Sequence, residues 1–265
     1  MELRQANVIP QANAAAIRPF GETPAVQRKV ESLPFTIRRV RSEEELLKAV
    51  QIRHAAYARH IPEFARSLAL PEEADYESDA VVLLAESKLD GTPLGTARIR
   101  TNIHQPLHIE ESVVLPQWLQ GRSLGEVERL GVSHGRIGHV VKVALVKAFF
   151  EFFEKQGLEW AVISARTPVD RQYEQLLFAD VFGENEMVPL RHIGDIPHRI
   201  MAFEIATGEA RWRAAAHPLL KFFRETDHPD IDVGPKVELP GKALLMPSRL
   251  PVATSVDTMR TAAFA

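Results

Sequence analysis

Residues 125–156 constrain the fold of this chain more than any other stretch. GEVERLGV (125–132) alternates as a strand does, SHGRIGH (133–139) interrupts it with two glycines, and a long helix follows from about Ile137 to Gln156, closed by Gly157. A helix opened by glycines leaves its first backbone N–H groups unpaired and turns a positive dipole end toward whatever sits there, which suits a phosphate. The segment from Val140 to Phe153 is the greasiest in the chain, but Lys142, Lys147 and Glu151 interrupt it, so it reads as a core helix and not an anchor.

The flanking sequence supplies the rest of a sheet. FTIRRV (35–40) alternates as an edge strand would, and Ser42 with Glu45 forms a capping box that opens a helix running to about Arg59. On that helix Leu46, Val50, Arg53 and Tyr57 share one face, and an arginine in an apolar stripe needs a partner. AVVLLAES (80–87), a turn at Asp90-Gly91 and PLGTARIRT (93–101) read as an antiparallel hairpin. WAVISA (160–165) is nearly all apolar and belongs in the middle of a sheet. DRQYEQLLFADVFG (170–183) reads as a helix and turn, and MVPLRHI and PHRIMAFEIA as two last strands. The order predicts a mixed α/β fold, a central mixed sheet with helices on both faces. We divide the chain into a flexible tail (1–33), a central α/β domain (34–207) and a C-terminal helix, around Arg211 to Thr226, with a Pro-rich tail (208–265).

Composition narrows the chemistry. The chain has 265 residues, 45% apolar and 25% charged, with a formal net charge of only −3, which nominates neither nucleic acid nor a membrane surface as partner. It contains no cysteine, so a disulfide framework, a thiolate nucleophile and a thiolate metal site are all excluded. No stretch reaches the roughly 18 apolar residues of a membrane span, and the first twenty residues lack a signal-peptide core, so a cytoplasmic location is the expectation. There is no H-E-x-x-H, and His104 and His108 flank Pro106, so no metal is expected.

The strand, glycine-bearing turn and long helix resemble the acyl-donor-binding core of the GNAT superfamily. Within it, E-x-E-R-L (126–130) is similar to the signature of the acyl-homoserine lactone (autoinducer) synthases and the long-chain N-acyl amino acid synthases. Arg53 and Tyr57, the acidic cluster Asp75, Glu77 and Asp79, and L-G-T-A-R-I-R (94–100) follow the same order, and the likeness spans about 37 to 206. The Phe and Trp pattern with which autoinducer synthases hold their adenosyl substrate is missing, which favours the N-acyl amino acid branch. The resemblance implies transfer of a long acyl group from acyl carrier protein or a coenzyme A thioester to a small amine, with no permanent cofactor. It implies Glu126 first and Glu128 second for proton removal, with Arg129 ordering the carboxylates at 75–79 or meeting a carrier protein. Val132, Ser133, Gly135, Arg136 and Gly138 would hold the pantetheine, and Arg53, Tyr57, Asp79 and Arg98 the acceptor, Arg53 as a clamp for its carboxylate.

The chemistry itself asks little of the protein. An α-amino group of pKa roughly 8 is about one-tenth neutral at pH 7, so losing its proton costs only about 1.4 kcal/mol, within reach of one carboxylate. In an unbroken strand Glu126, Glu128, Leu130 and Val132 share one face, and Val127 and Arg129 the other, so a glutamate and Arg129 could meet only across a bulge.

Two other readings compete. GVSHG (131–135) fits G-x-S-x-G between strand and helix, with Asp170 or Asp195 and then His198 or His217 in triad order, as in a serine hydrolase; too few strands precede it and no HGGG-type motif appears. The other is a non-catalytic protein of the same fold that binds an acyl carrier or lipid. Phe149, Phe150, Phe152 and Phe153 read as core, with some of that surface free to line a slot for an acyl chain.

Overall fold

A computed structural model describes residues 28–234. Strand β1 (Phe35–Arg39) of the main sheet buries alternate residues and leads to helix α1 (Glu43–Ala58). The Ser42 side chain caps α1 by accepting from the Glu45 amide, but the Glu45 carboxylate turns back to the Arg41 amide and to Arg38, so only half of the predicted capping box forms. Strands β2 (Ala80–Ser87) and β3 (Pro93–Thr101) make the predicted hairpin, with the Asp90 carboxylate holding the Thr92 amide in the turn. Strand β4 (Leu124–Val132) runs into α2 (Arg136–Gln156), and β5 (Trp160–Ala165) into the short α3 (Asp170–Gln175). The helix predicted beyond Gln175 stops because Leu177 turns into the left-handed region at φ 69°. Strand β6 (Ile196–Glu204) follows the two-residue strand Ala179–Asp180 and Val188–Leu190, which both pair with it.

The main sheet is mixed, in the order Ile231–Asp232, β1, β2, β3, β4, β5, β6, Ala179–Asp180. All pairs are antiparallel except β4 with β5 and Ile231–Asp232 with β1. One face carries α2, α3 and the larger apolar core, which includes Val127, Val141, Leu145 and Phe149. The other carries α1 and the segments around Leu107–Leu119 and Leu190–Ile193.

Three features of this frame place the site. First, β4 pairs with β5 only from Leu124–Trp160 to Val127–Ile163; beyond that point β4 stays with β3 and β5 with β6, so the sheet opens between them. Second, β4 carries a bulge opposite β3, where Glu128 pairs with Arg98 but Gly131 with Thr96, and Arg129 takes φ 52° to accommodate the extra residue. Third, the C-terminal residues fold onto the domain. The predicted helix at 211–226 is instead a short one, α4 (Gly208–Ala214), broken at Ala216 (φ 47°) before Pro218 and resumed as a single wide turn at Lys221–Glu225. Thr226–Asp227 then pairs in parallel with Lys29–Val30, inside the stretch expected to be a tail. Residues 1–27 and 235–265, which make up the rest of the predicted tails, lie outside the described residues. Among the described residues no helix is long and apolar enough to cross a membrane.

Candidate active site

The bulge decides which side chains meet. With one extra residue in β4, Arg129 joins Glu126 and Glu128 on the α1 side, while Leu130 and Val132 join Val127 against α2. The strict alternation read from sequence is overturned beyond Glu128 for that reason.

On the α1 side, three guanidinium groups interlock with three carboxylates. Arg53 makes a bidentate pair with Asp75 at 2.9 and 2.8 Å and reaches Glu72 at 3.1 Å. Arg98 holds Glu128 through Nε and Nη2 at 3.0 and 2.6 Å, and Glu72 and Asp75 through Nη1, both at 3.1 Å. Arg129 grips Glu72 with two bonds of 2.7 Å and donates to the His192 carbonyl at 3.0 Å. Burial opposes the charge on Glu72 and Asp75, but the arginines outweigh it and hold both below the usual carboxylate range. Burial likewise works against Glu128, yet Arg98, His108 and Arg129 hold its carboxyl well below that range.

Several expected roles change here. Arg53 is wholly buried with both terminal nitrogens committed to carboxylates, so it has no free fork for a substrate carboxylate and is no clamp. Arg98 is buried and committed in the same way, which removes it too from contact with an acceptor. Arg129 orders Glu72 rather than the carboxylates at 75–79, because Glu72 opens the turn Glu73–Tyr76 that faces the bulge. Asp79 lies outside the network and binds the His104 ring at 2.6 Å and its amide at 3.2 Å. Tyr57 is half-buried, its ring 5.9 Å from Phe64, which in turn lies under the Arg129 guanidinium at 5.2 Å.

Glu126 is the exception among these carboxylates. It is fully buried, and neither of its oxygens makes a hydrogen bond. Burial, reinforced by the charge on Glu128, pushes its carboxyl well above the usual range, against the weaker pull of the Ile109 amide and of Arg100 and Arg98. Beside it, 4.0 Å from Oε1, stands Nε2 of His192, whose ring nitrogens are also buried without hydrogen bonds. Burial holds this imidazole down to about 4. The His192 ring stacks on His108 at 5.4 Å, and His108 Nδ1 lies 2.7 Å from Glu128. Two polar groups left unsatisfied side by side cost stability, and such arrangements cluster at functional sites. The sequence singled out His108 only to discount it as a metal ligand and did not single out His192, since the two arrive from separate one-turn helices, His108–Glu111 and Arg191–Ile193, that carry no spacing relationship to β4.

At the far end of β4 the turn into α2 forms a cup of about 260 Å³ lined by Val132, Ser133, Gly135 and Gly138 with Arg59, His60, His134, His139 and Lys142. Gly135 takes φ 87°, and a Cβ on Gly138 would stand 1.8 Å from the Ser133 carbonyl, so this turn needs glycine at both places. Arg136 opens the helix as an exposed residue beside the cup. The cations Arg59 and Lys142 come from α1's end and α2's second turn and were not anticipated. His139 and Lys142 also line a second, larger cavity of about 490 Å³ between α2 and α3, whose walls are mostly apolar: Leu130, Val143, Val146, Val169, Tyr173 and Leu176.

The triad alternative does not assemble. Ser133 Oγ is buried with no hydrogen bond. Asp170 binds Thr167 and Arg199, His198 binds the Ile196 carbonyl, and His217 binds the Gln175 carbonyl and the Leu219 amide. Among the described residues no group of three or more histidine or acidic side chains could hold a metal ion.

Among solved structures the chain is similar to FeeM, an N-acyl amino acid synthase from uncultured soil microbes, at 16% identity and TM-score 0.51 over 71% of this chain and 96% of that one. The fold is GNAT-like. BjaI, a CoA-dependent acyl-homoserine lactone synthase, is also similar, at 17% identity and TM-score 0.49 over 77% and 96%. So is the PaiA N-acetyltransferase of Thermoplasma acidophilum in complex with coenzyme A, at 14% identity and TM-score 0.44 over 65% and 99%. No protein-family model and no curated protein sequence matches the chain. In this GNAT-like frame the glycine cup sits at the start of α2, and Glu126 lies on the opposite face of the sheet just before the point where β4 and β5 part.

Proposed function

We propose that the chain is an N-acyltransferase that moves an acyl group from a pantetheine thioester, on acyl carrier protein or coenzyme A, to the amine of an amino acid or similar small acceptor. The observation that carries this reading is the continuity of a cationic glycine cup with a large apolar cavity through His139 and Lys142, beside the opening between β4 and β5. The free N–H groups at the start of α2, with Arg59 and Lys142, suit the donor's phosphate. The pantetheine arm then runs past Val132 toward the opening.

The amine attacks the thioester carbonyl from the α1 side, the C–N bond forms, the C–S bond breaks, and the thiolate leaves to take up a proton. No protein nucleophile is required. Glu126 serves, as its carboxylate, to accept the proton the amine loses, burial raising its affinity for that proton, and hands the same proton on to the departing thiolate, which returns the carboxylate. His192, held neutral beside it, offers the adjacent lone pair. The Arg53, Arg98 and Arg129 network fixes Glu128 and the bulge, so these residues act by positioning, and Tyr57 with Phe64 forms the half-buried wall nearest the acceptor.

Mass spectrometry of organic extracts from cells producing the wild type or Glu126→Gln tests this directly. A new lipid of acyl-plus-amine mass, absent from the variant, is expected. No such lipid, together with ester hydrolysis by the purified protein that depends on Ser133, would replace this reading with the hydrolase.

A further inference from the structure

The opening between β4 and β5 has two banks. The β4 bank is the network of arginines and carboxylates, with Glu126 and His192 at its inner end. The β5 bank is carried by residues 164–166. Val162 and Ile200 belong to the apolar core on the α1 face of the sheet. Ser164, two residues beyond Val162 and directly opposite Ile200, points to that same face and is only half-buried. Alternation carried past Ala165, where β5 ends, brings the next side chain to that face as well, and this residue is the exposed Arg166.

The charges around His198 agree with this placement. On β6 the Arg199 guanidinium binds Asp170 and Glu174 of α3, so its neighbour His198 turns to the α1 face. His198 Nδ1 donates to the Ile196 carbonyl at 2.8 Å. Burial, and after it the like charges of Arg166 and Arg129, hold this imidazole below its usual range against that bond. Arg166 thus stands close to a ring that Arg129 also influences from β4, and Arg129 in turn donates to the His192 carbonyl beside Glu126. In the strand order β5 lies between the strands that carry Arg129 and His198, which sets Arg166 at the mouth of the opening.

Arg166 differs from the other guanidinium groups of the α1 side in being uncommitted. Arg53, Arg98 and Arg129 are buried against carboxylates. The Arg166 side chain makes no hydrogen bond or ion pair among the described residues. The acidic side chains nearest in sequence, Asp170 and Glu174, are taken by Arg199 on the other face. Its backbone is nonetheless fixed, since its carbonyl accepts the Val169 amide at 2.7 Å and the Asp170 amide at 3.1 Å. A free planar fork on an ordered backbone is what two parallel bonds to a carboxylate require. From Val162, the partner of Glu126, to residue 166 is four strand steps, about 13 Å. The Glu126 and Arg166 side chains enter that interval from its two ends, and a molecule with an amine and a carboxylate a few bonds apart spans what remains.

We infer that Arg166 binds the acceptor's carboxylate, turning its amino group toward Glu126, and that it selects amino acids over amines that lack a carboxylate. The inference rests on the acyltransferase reading above and specifies its acceptor. The clamp that the buried Arg53 and Arg98 cannot supply then sits on the opposite bank of the opening, on the one side chain there with a fork to offer.

The test gives the full chain octanoyl and hexadecanoyl thioesters of coenzyme A and of acyl carrier protein. The acceptors are an equimolar mixture of the standard amino acids and the amines that decarboxylation of each would give, with products resolved by mass. Each pair differs in basicity as well as charge, so the readout is the change on mutation in the ratio of N-acyl amino acid to N-acyl amine. Arg166→Gln should lower that ratio at least about tenfold. Arg166→Lys should recover part of the loss, a point charge replacing the fork. Arg171→Gln, which removes an exposed charge from α3, should leave the ratio as it is. The Arg166 variants should melt with the wild type, since that side chain has no partner to lose. An unchanged ratio in Arg166→Gln, or an equal fall in Arg171→Gln, would overturn the clamp while leaving the acyltransferase reading intact. No N-acyl product from the wild type with any acceptor would overturn both.

Discussion

His192 Nε2 stands 4.0 Å from Glu126 Oε1, and neither group has a hydrogen bond of its own. A buried acid whose folded proton affinity is raised contributes a penalty that appears as pH climbs above its unfolded value of roughly 4.3. Glu126→Gln removes that penalty. Thermal denaturation should therefore show the variant at least as stable as the wild type at pH 5 and increasingly more stable toward pH 8, while acyl transfer falls by about 100-fold or more. A variant that is less stable across this range would mean that the carboxylate is a structural element.

His192 carries the opposite sign. Its folded value of about 4 lies below the roughly 6.5 of the unfolded chain, so the unfolded state binds the extra proton first and stability falls as pH drops from 6.5 to 4. The span corresponds to about 3 kcal/mol. His192→Asn should flatten this limb of the urea-denaturation profile, and an unchanged slope would count against a buried neutral imidazole.

Glu72 is gripped by Arg53, Arg98 and Arg129 together. Glu72→Gln leaves buried guanidinium groups without their counter-charge, which costs about 3–5 kcal/mol when one partner of a buried pair is lost. Urea denaturation should show a loss of that size, whereas Glu63→Gln, whose pair with Arg66 is exposed, should change stability by less than about 1 kcal/mol.

Gly138 cannot carry a side chain without moving the Ser133 carbonyl 1.8 Å from the position of its Cβ. Gly138→Ala should displace the cup and raise KM for the thioester donor several-fold or more, with a smaller effect on KM for the amine. Steady-state kinetics with both substrates varied separates the two. A larger effect on the amine would place the donor elsewhere.

The order of strands and helices was legible in the sequence because each long element carries its own period, and the glycine turn because only glycine fits there. The site was less so. A non-glycine residue at φ 52° has no sequence signal, so alternation placed Arg129 on the wrong face. Glu72 lies outside the acidic cluster at 75–79 and was overlooked as the partner of Arg129. Arg53, correctly seen to need a partner, was given a substrate when the fold already supplied Asp75. The segment at 217–223 read as the middle of a helix, which hid the wall of the large cavity that Ala216 and Pro218 create by breaking it.

The short strand Ile231–Asp232 lies along the outer side of β1, the flank of the sheet remote from the opening between β4 and β5. Without it β1 would present a row of unpaired N–H and C=O groups, a template on which another chain could add. A chain shortened before residue 226 would lose this cover together with the Thr226 carbonyl and the His228 ring that Lys147 binds. Self-association and precipitation, more than a change in chemistry, is how such a truncation would first make itself known.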